Sequence, residues 1–250
     1  MSIILPSFAG ISKPSGGGGG SFVNRWGSDG TGHATTTSFG ISGAKTVSLW
    51  FKAGSRVGGA GFMAMSNSAG SSTAYFPYIY SGKIINCGGS SYWIGSDGFF
   101  TNGDWFNVTI TSDGTSSSTA LKIYVNGNLK AEKANRDPSG ITHVGGTSTY
   151  YHDSLLDEIS VFDYVVSDIH TLRNGAADGT LGTPADLSTF ATQPIYWWRW
   201  GDEAGASPVD GSGISAVANS GTAGSSYDLA QSSASSQRDY ADLTGEAIYV

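Results

Sequence analysis

Residues Trp105–Glu132 read WFNVTITSDGTSSSTALKIYVNGNLKAE, and their punctuation decides the fold. Asn126-Gly127 stands between LKIYV and NLKAE. Both central residues of a type I′ turn need positive φ, so this dipeptide predicts a tight hairpin between two strands. Upstream, Asp113-Gly114 ends the run WFNVTIT, and Ser116–Ser118 form a polar loop before the hairpin. This one stretch therefore carries three strands.

Working outward, the runs Thr46–Lys52, Phe62–Ser66, Tyr75–Tyr80, Lys83–Cys87 and Leu156–Phe162 are short and rich in Val, Ile, Phe, Tyr and Trp. Gly, Ser, Asn and Asp separate them, which is the punctuation of an all-β chain. In Thr46–Lys52, Val47, Leu49 and Phe51 alternate with Thr46, Ser48, Trp50 and Lys52, which predicts a half-buried strand with Trp50 alone on its outer face. One stretch reads as helix: Ser167 as N-cap, Asp168–Asn174, and Gly175 as the left-handed stop. A Gly/Ala/Thr/Pro connector, Ala176–Pro194, leads to the aromatic run Ile195–Trp200 and a Ser/Gly/Ala-rich tail. There Ile214, Val217, Tyr227, Leu229 and Ile248–Val250 can supply edge strands. No repeat of fixed period suggests a solenoid or propeller.

Gly, Ser and Thr supply 96 of the 250 residues, while charged residues make only 13%. Soluble domains usually carry about 25% charged residues, so hydroxyls, amides and backbone must solvate this surface. With 39% hydrophobic residues, among them 7 Trp, 12 Tyr and 11 Phe, the chain can build a core and is not a disordered low-complexity protein. The net charge is −7, and the basic cluster Lys130, Lys133 and Arg136 is broken by Glu132 and closed by Asp137. That pattern argues against nucleic acid as a partner. Cys87 is the single cysteine, so neither an intrachain disulfide nor a Cys-based zinc site is available.

Met1–Leu5 is apolar but short, lacks a preceding positive charge and is broken by Pro6. It fits neither a signal peptide nor a membrane span, and the expectation is synthesis in a cytoplasm with no membrane partner. Residues 1–20 read as an apolar arm followed by the tether Gly16–Gly20. As a partner-binding arm its anchors are Ile3, Ile4, Leu5 and Phe8; the alternative is a frayed terminus or linker.

Taken together, TVSLWFK, then WFNVTITSDG followed by LKIYVNGNLKAE, then LLDEISVFDYVVSDIHTLRNG resemble the laminin-G-like jelly roll of the concanavalin A-like lectin/glucanase superfamily. In that family an early strand carries a Trp, a central strand opening on Trp leads to a YVNG hairpin, and a late strand runs into a short helix. Trp105, Tyr124–Gly127 and Leu156–Ser167 fill those places in order, and Phe22–Phe39 is similar to the family's opening strand with its carboxylate pair reduced to Asp29. The resemblance implies an all-β fold, a two-sheet antiparallel jelly-roll sandwich with one short helix.

The family's usual first strand resembles YWWRWGDEAGASPVDGSG, Tyr196–Gly213, which here follows the last family strand. This implies a circular permutation: residues 21–250 form one jelly-roll domain, with 195–250 supplying the displaced strand. The rival reading is a truncated second module from Tyr196. The Gly-rich N-terminus and the YWWR segment also resemble structural proteins of marine tailed bacteriophages, especially those of cyanobacterial hosts.

Glucanases on this fold set acids at alternate positions of one strand, so that a nucleophile and an acid share a groove about 5–5.5 Å apart. The four glutamates, Glu132, Glu158, Glu203 and Glu246, form no such pattern, and alternation sends the adjacent Asp157 and Glu158 to opposite faces. The chain is therefore expected not to be an enzyme. His33, His143, His152 and His170 lack metal spacing and read as solvated loop residues. Calcium suits the loops better than zinc, through Asp29, Asp97, Asp113, Asp137 and Asp153, although no D-x-D-x-D-G loop fixes a site. No other cofactor is implied.

Sugar recognition needs an aromatic platform beside hydrogen-bonding groups. Tyr92, Trp93, Tyr150, Tyr151 and His152 lie in loops among Ser, Thr and Gly and suit that role; the alternative is that they cover the sandwich ends. Trp26, Trp50, Trp105, Trp197 and Trp198 read as core or inter-sheet residues. Two functions follow. One is a virion structural protein, a homo-oligomeric decoration, cement or knob protein held to a capsid or other virion protein through its arm. The other is a lectin-like carbohydrate-binding module, at a phage tail tip or cell surface, with a host glycan as ligand.

Overall fold

The computed structural model describes residues 26–28, 34–52, 62–67, 76–80, 83–87, 100, 104–145, 155–176, 181–199, 216–231 and 237–239. The strands among them are β1 (Trp26–Ser28), β2 (Ala34–Phe39), β3 (Ala44–Lys52), β4 (Phe62–Met63), β5 (Met65–Ser66), β6 (Tyr78–Tyr80), β7 (Lys83–Asn86) and β8 (Trp105–Asp113). After these come β9 (Leu121–Val125), β10 (Asn128–Lys133), β11 (Ile141–Val144), β12 (Leu155–Phe162), β13 (Tyr196–Trp198), β14 (Ala216–Val217), β15 (Leu229–Gln231) and β16 (Gln237–Asp239).

The expected all-β, two-sheet antiparallel sandwich is what forms. One sheet runs β10-β9-β8-β3-β12-β1-β16, with β13 also on β12; the sheet opposite runs β14-β15-β2-β11-β5. A small sheet, β4-β6-β7, is stitched to the second by bonds from Ala64 N–H to Pro77 O and from Phe76 N–H to Met65 O. The backbone of the first sheet is the pair β3 and β8, in unbroken register from Ala44 opposite Asp113 to Lys52 opposite Trp105.

Alternation decides what faces inward. Val47, Leu49 and Phe51 of β3, Val108 and Ile110 of β8, and Ile123 and Val125 of β9 meet Ala34 and Phe39 of β2, Ile141 and Val144 of β11, and Met65 of β5 in one buried core. The Asn126-Gly127 turn forms as predicted, with φ of 49° and 75°. A side chain at position 127 would strike the guanidinium of Arg173, which lies fully buried beneath the turn.

The outer face of β3 departs from expectation. Every residue from Lys45 to Phe51 is buried, so the strand is covered on both faces. The cover comes partly from the end of β12 and the chain beyond it, where Phe162, Val166, Leu172, Ala185, Leu187 and Trp197 build a second apolar cluster. Thr46 fastens this cover: its Oγ1 donates to Tyr164 O and accepts from Val166 N–H. Alternation shows which residues share a face, but a polar outer face gives no sign that later chain folds back over it.

Its polar groups are matched to one another. Asn107 Nδ2 donates to Ser48 Oγ and Leu49 O, and Thr109 Oγ1 donates to Asn107 Oδ1. The predicted helix is shortened to a 3₁₀ turn, Ile169–Arg173, capped by Asp168 rather than Ser167, because the Asp168 carboxylate accepts from His170 N–H. Asn174, at φ 44°, takes the left-handed position expected of Gly175.

Candidate functional site

The late family strand, β12, departs from regular pairing at its acidic residues. Asp157 stands opposite Trp50 and Ser160 opposite Ser48, so three steps along β12 match two along β3. The extra residue is a β-bulge. Leu156 and Ile159 both reach the inter-sheet core, and Asp157 and Glu158 are left together off that face. The expectation that these two carboxylates point to opposite sides is therefore wrong: it assumed a regular strand, and the bulge breaks the alternation.

Glu158 occupies the bulge at φ 49°. A left-handed conformation at a non-glycine residue costs about 1–3 kcal/mol and persists only where neighbours over-determine it. Those neighbours come from β13 and the residue that follows it. Trp197 Nε1 donates to Glu158 Oε2 at 2.5 Å, and Arg199 Nε donates to Oε1 at 3.3 Å. The Arg199 guanidinium carbon sits 4.6 Å from the centroid of the Trp197 ring, so one cation serves the carboxylate and the indole face. The Glu158 side chain is 6% exposed and that of Arg199 11%. Asp157, fully buried, accepts from the Glu158 N–H at 2.8 Å.

This arrangement binds chain to chain. Ile159, Ser160 and Val161 pair with Trp198, Trp197 and Tyr196 of β13, while Leu156 and Leu155 pair with Trp26 and Gly27 of β1 on the same edge. β13 and β1 thus lie end to end along β12, and the bulge marks the gap between them. A glycosidase acid or base must reach a substrate oxygen and a water. Here one carboxylate is engaged by an indole and a guanidinium, and the other by a backbone amide, both beneath the surface.

The remaining expected groups fall into two sets. Asp113 caps its own turn through Thr115, whose N–H and Oγ1 both donate to Oδ1. Asp137 takes the ammonium of the fully buried Lys45. Partial burial pushes the Asp137 carboxyl up, but the hydrogen bond and charge of Lys45, with donors from Asn135 and Gly43, outweigh it and hold the group below the usual carboxylate range. Among the described residues no three His, Cys, Asp or Glu side chains gather as a metal site.

Two histidines are not the solvated loop residues expected. His143 lies buried on β11 with Nδ1 2.8 Å from Thr142 Oγ1, and half-buried His170 accepts from Arg173 Nη2 at 2.9 Å. A lone histidine carries no sequence sign of burial. The expected glycan platform Tyr92, Trp93, Tyr150, Tyr151 and His152, the expected arm anchors Ile3, Ile4, Leu5 and Phe8, and His33, Asp29, Asp97 and Asp153 lie outside the described residues. Trp50, Trp105, Trp197 and Trp198 are buried, as expected, and none offers a face to a ligand. The Glu158 clasp itself escaped sequence reading; the only available sign was an acidic pair interrupting an otherwise apolar strand.

Fold and site together define a lectin-like sandwich with two buried, hydrogen-bonded carboxylates on its late strand. The chain belongs to the concanavalin A-like lectin/glucanases superfamily, whose family model matches residues 27–170. Among solved structures, a Bacteroides ovatus protein described as a candidate carbohydrate binding protein aligns with a TM-score of 0.50 at 12% identity. The alignment covers 82% of this chain and 58% of that one, so the chain spans little more than half its length. The heptameric SAP-like pentraxin of Limulus polyphemus aligns at TM-score 0.43 and 14% identity, over 68% of this chain and 91% of that one. The CBM40 of the Ruminococcus gnavus IT-sialidase, solved with α2,3 sialyllactose, aligns at 0.40 and 15%, over 58% and 95%. At such identities the likeness is one of fold. No curated protein matches the sequence.

Proposed function

We propose that this protein is a non-catalytic carbohydrate-binding module, with the loop aromatics Tyr92, Trp93, Tyr150 and Tyr151 and the imidazole of His152 as its sugar-facing groups. The observation that carries the reading is the engagement of Asp157 and Glu158 inside the β12 clasp, which supports a role for the acidic pair in holding chain to chain rather than in catalysis. Membership of a superfamily of lectins and glucanases then leaves binding as the better-supported half. Sugar rings stack on aromatic faces while hydroxyl-rich segments supply hydrogen bonds, and Trp50, Trp105, Trp197 and Trp198 are all buried. The test is a glycan array with the wild type, Trp93→Ala and Tyr151→Ala. Retention on a polysaccharide that both variants lose at least tenfold, with unchanged melting, supports the reading; no glycan retention by the wild type overturns it.

A second reading, a virion decoration protein, rests on the resemblance of the Gly-rich N-terminus and the YWWR segment to phage structural proteins. Among the described residues the exposed large hydrophobics are only Leu129 and Val165, so the described surface offers no apolar docking patch. If the protein decorates a phage particle as a homo-oligomer, attachment falls to the arm residues Ile3, Ile4, Leu5 and Phe8. Deleting residues 1–20 should then abolish loading onto particles while leaving the fold intact; full loading of the truncated protein excludes it.

A further inference from the structure

We propose that residues 195–199 and 216–231 are a separable strand complement, held to the rest of the sandwich by non-covalent contacts that survive a break in the chain. The observation behind it is the composite edge of β12, one strand position filled from two remote parts of the sequence, β13 and β1. The same C-terminal segment also reaches the opposite sheet: β15 pairs with β2, Ala230 opposite Thr35, and Thr37 Oγ1 donates to Ser226 O at 2.6 Å. It therefore closes one side of the core against both sheets, and it lies beyond the family match, which ends at residue 170.

What it brings is aromatic. The rings of Tyr196 and Trp198 lie 5.7 Å apart with planes 4° from parallel, and Phe39 of β2 meets them at 4.4 and 5.9 Å. The segment is also organised within itself. Asn219 Oδ1 accepts from Trp197 N–H and Gly221 N–H, its Nδ2 donates to Gly224 O, and its own N–H donates to Asp228. Trp198 Nε1 donates to Tyr227 O. Strand addition works this way: main-chain bonds give affinity, and pockets for alternate side chains give specificity. The acceptor is the β12 edge from Glu158 to Val161 with the side of β2 that β15 occupies, and it fits a strand reading aromatic, Trp, aromatic, Arg, as in Tyr196, Trp197, Trp198 and Arg199. The single-domain reading of residues 21–250 rests on this complement, whereas glycan binding does not.

The loop Ala191–Gln193 is exposed and joins the two parts. A protease site inserted between Thr192 and Gln193 of the full chain, then cut, tests the proposal. The two pieces should co-elute in size-exclusion chromatography and melt in one transition. In the cut Arg199→Lys and Glu158→Ala proteins the dissociation constant of the pieces should rise at least tenfold, with the Lys variant as the check against gross misfolding. Release of a folded residue 1–192 piece with unchanged melting would make the segment an appendage. Loss of all structure on cutting would mean that chain continuity holds it. Either result overturns the proposal.

Discussion

Glu158 is the residue on which the edge of the main sheet turns. It holds a strained left-handed backbone because its carboxylate joins an indole N–H of the neighbouring strand and the guanidinium of the residue just after that strand. Removing one partner of a buried ion pair costs about 3–5 kcal/mol, and Glu158→Ala should lose stability in that range. Glu158→Gln keeps the length and one acceptor oxygen, so its loss should be nearer 1–3 kcal/mol, roughly the cost of weakening a charge-assisted hydrogen bond. Urea unfolding of the three proteins checks the order; an Ala variant as stable as the Gln variant would show that the carboxylate does not hold the bulge. Sequence reading found Asp157 and Glu158 but misjudged their faces. A residue at positive φ is easy to anticipate when it is Asn or Gly, as at 126 and 127, and invisible when it is Glu.

At the scale of elements, β13 was legible as an aromatic run in need of a sheet, and it has joined one. Its chemistry makes that joint sensitive to alkali. Burial, then the charge and hydroxyl of Tyr227, pushes the Tyr196 phenol up to about 12. A phenol with a raised folded value favours the fold fully below its ordinary pKa of about 10, and that contribution disappears as the pH rises through the folded value. The wild type should therefore lose stability between roughly pH 10 and 12, and Tyr196→Phe should lose less over the same window. Urea midpoints at pH 8, 10, 11 and 12 give the comparison, and parallel curves for the two proteins would remove Tyr196 as the cause. The hairpin at Asn126-Gly127 was the most legible element, because its local turn chemistry suffices. The cover over the outer face was the least, because its apolar residues, Phe162, Val166, Leu172 and Leu187, are scattered through a stretch with no period.

For the whole molecule, the main sheet separates two apolar clusters, the inter-sheet core and the smaller outer one, and the question is whether they unfold together. The polar layer at the sheet argues that they do. Ser48, Asn107, Thr109 and Ser160 bond to one another and to backbone under cover. Opening the outer cluster would let water compete for these bonds, and it would expose β3 at the centre of the sheet, whose pairing with β8 and β12 carries the sandwich. Truncating a buried Leu or Ile to Ala costs about 2–5 kcal/mol. Leu187→Ala in the cover and Ile110→Ala in the inter-sheet core should therefore both lower the global urea midpoint, with one transition each and an unchanged slope. Amide exchange separates this from the alternative of a cover that opens by itself: in Leu187→Ala, protection should fall together at Val108 and Ile110 of β8 and at Ala185 and Phe190 of the cover, whose N–H groups donate to Leu172 O and Leu187 O. Loss confined to residues 181–190 with β8 protection intact would make the cover a local unit resting on a sandwich that is stable without it.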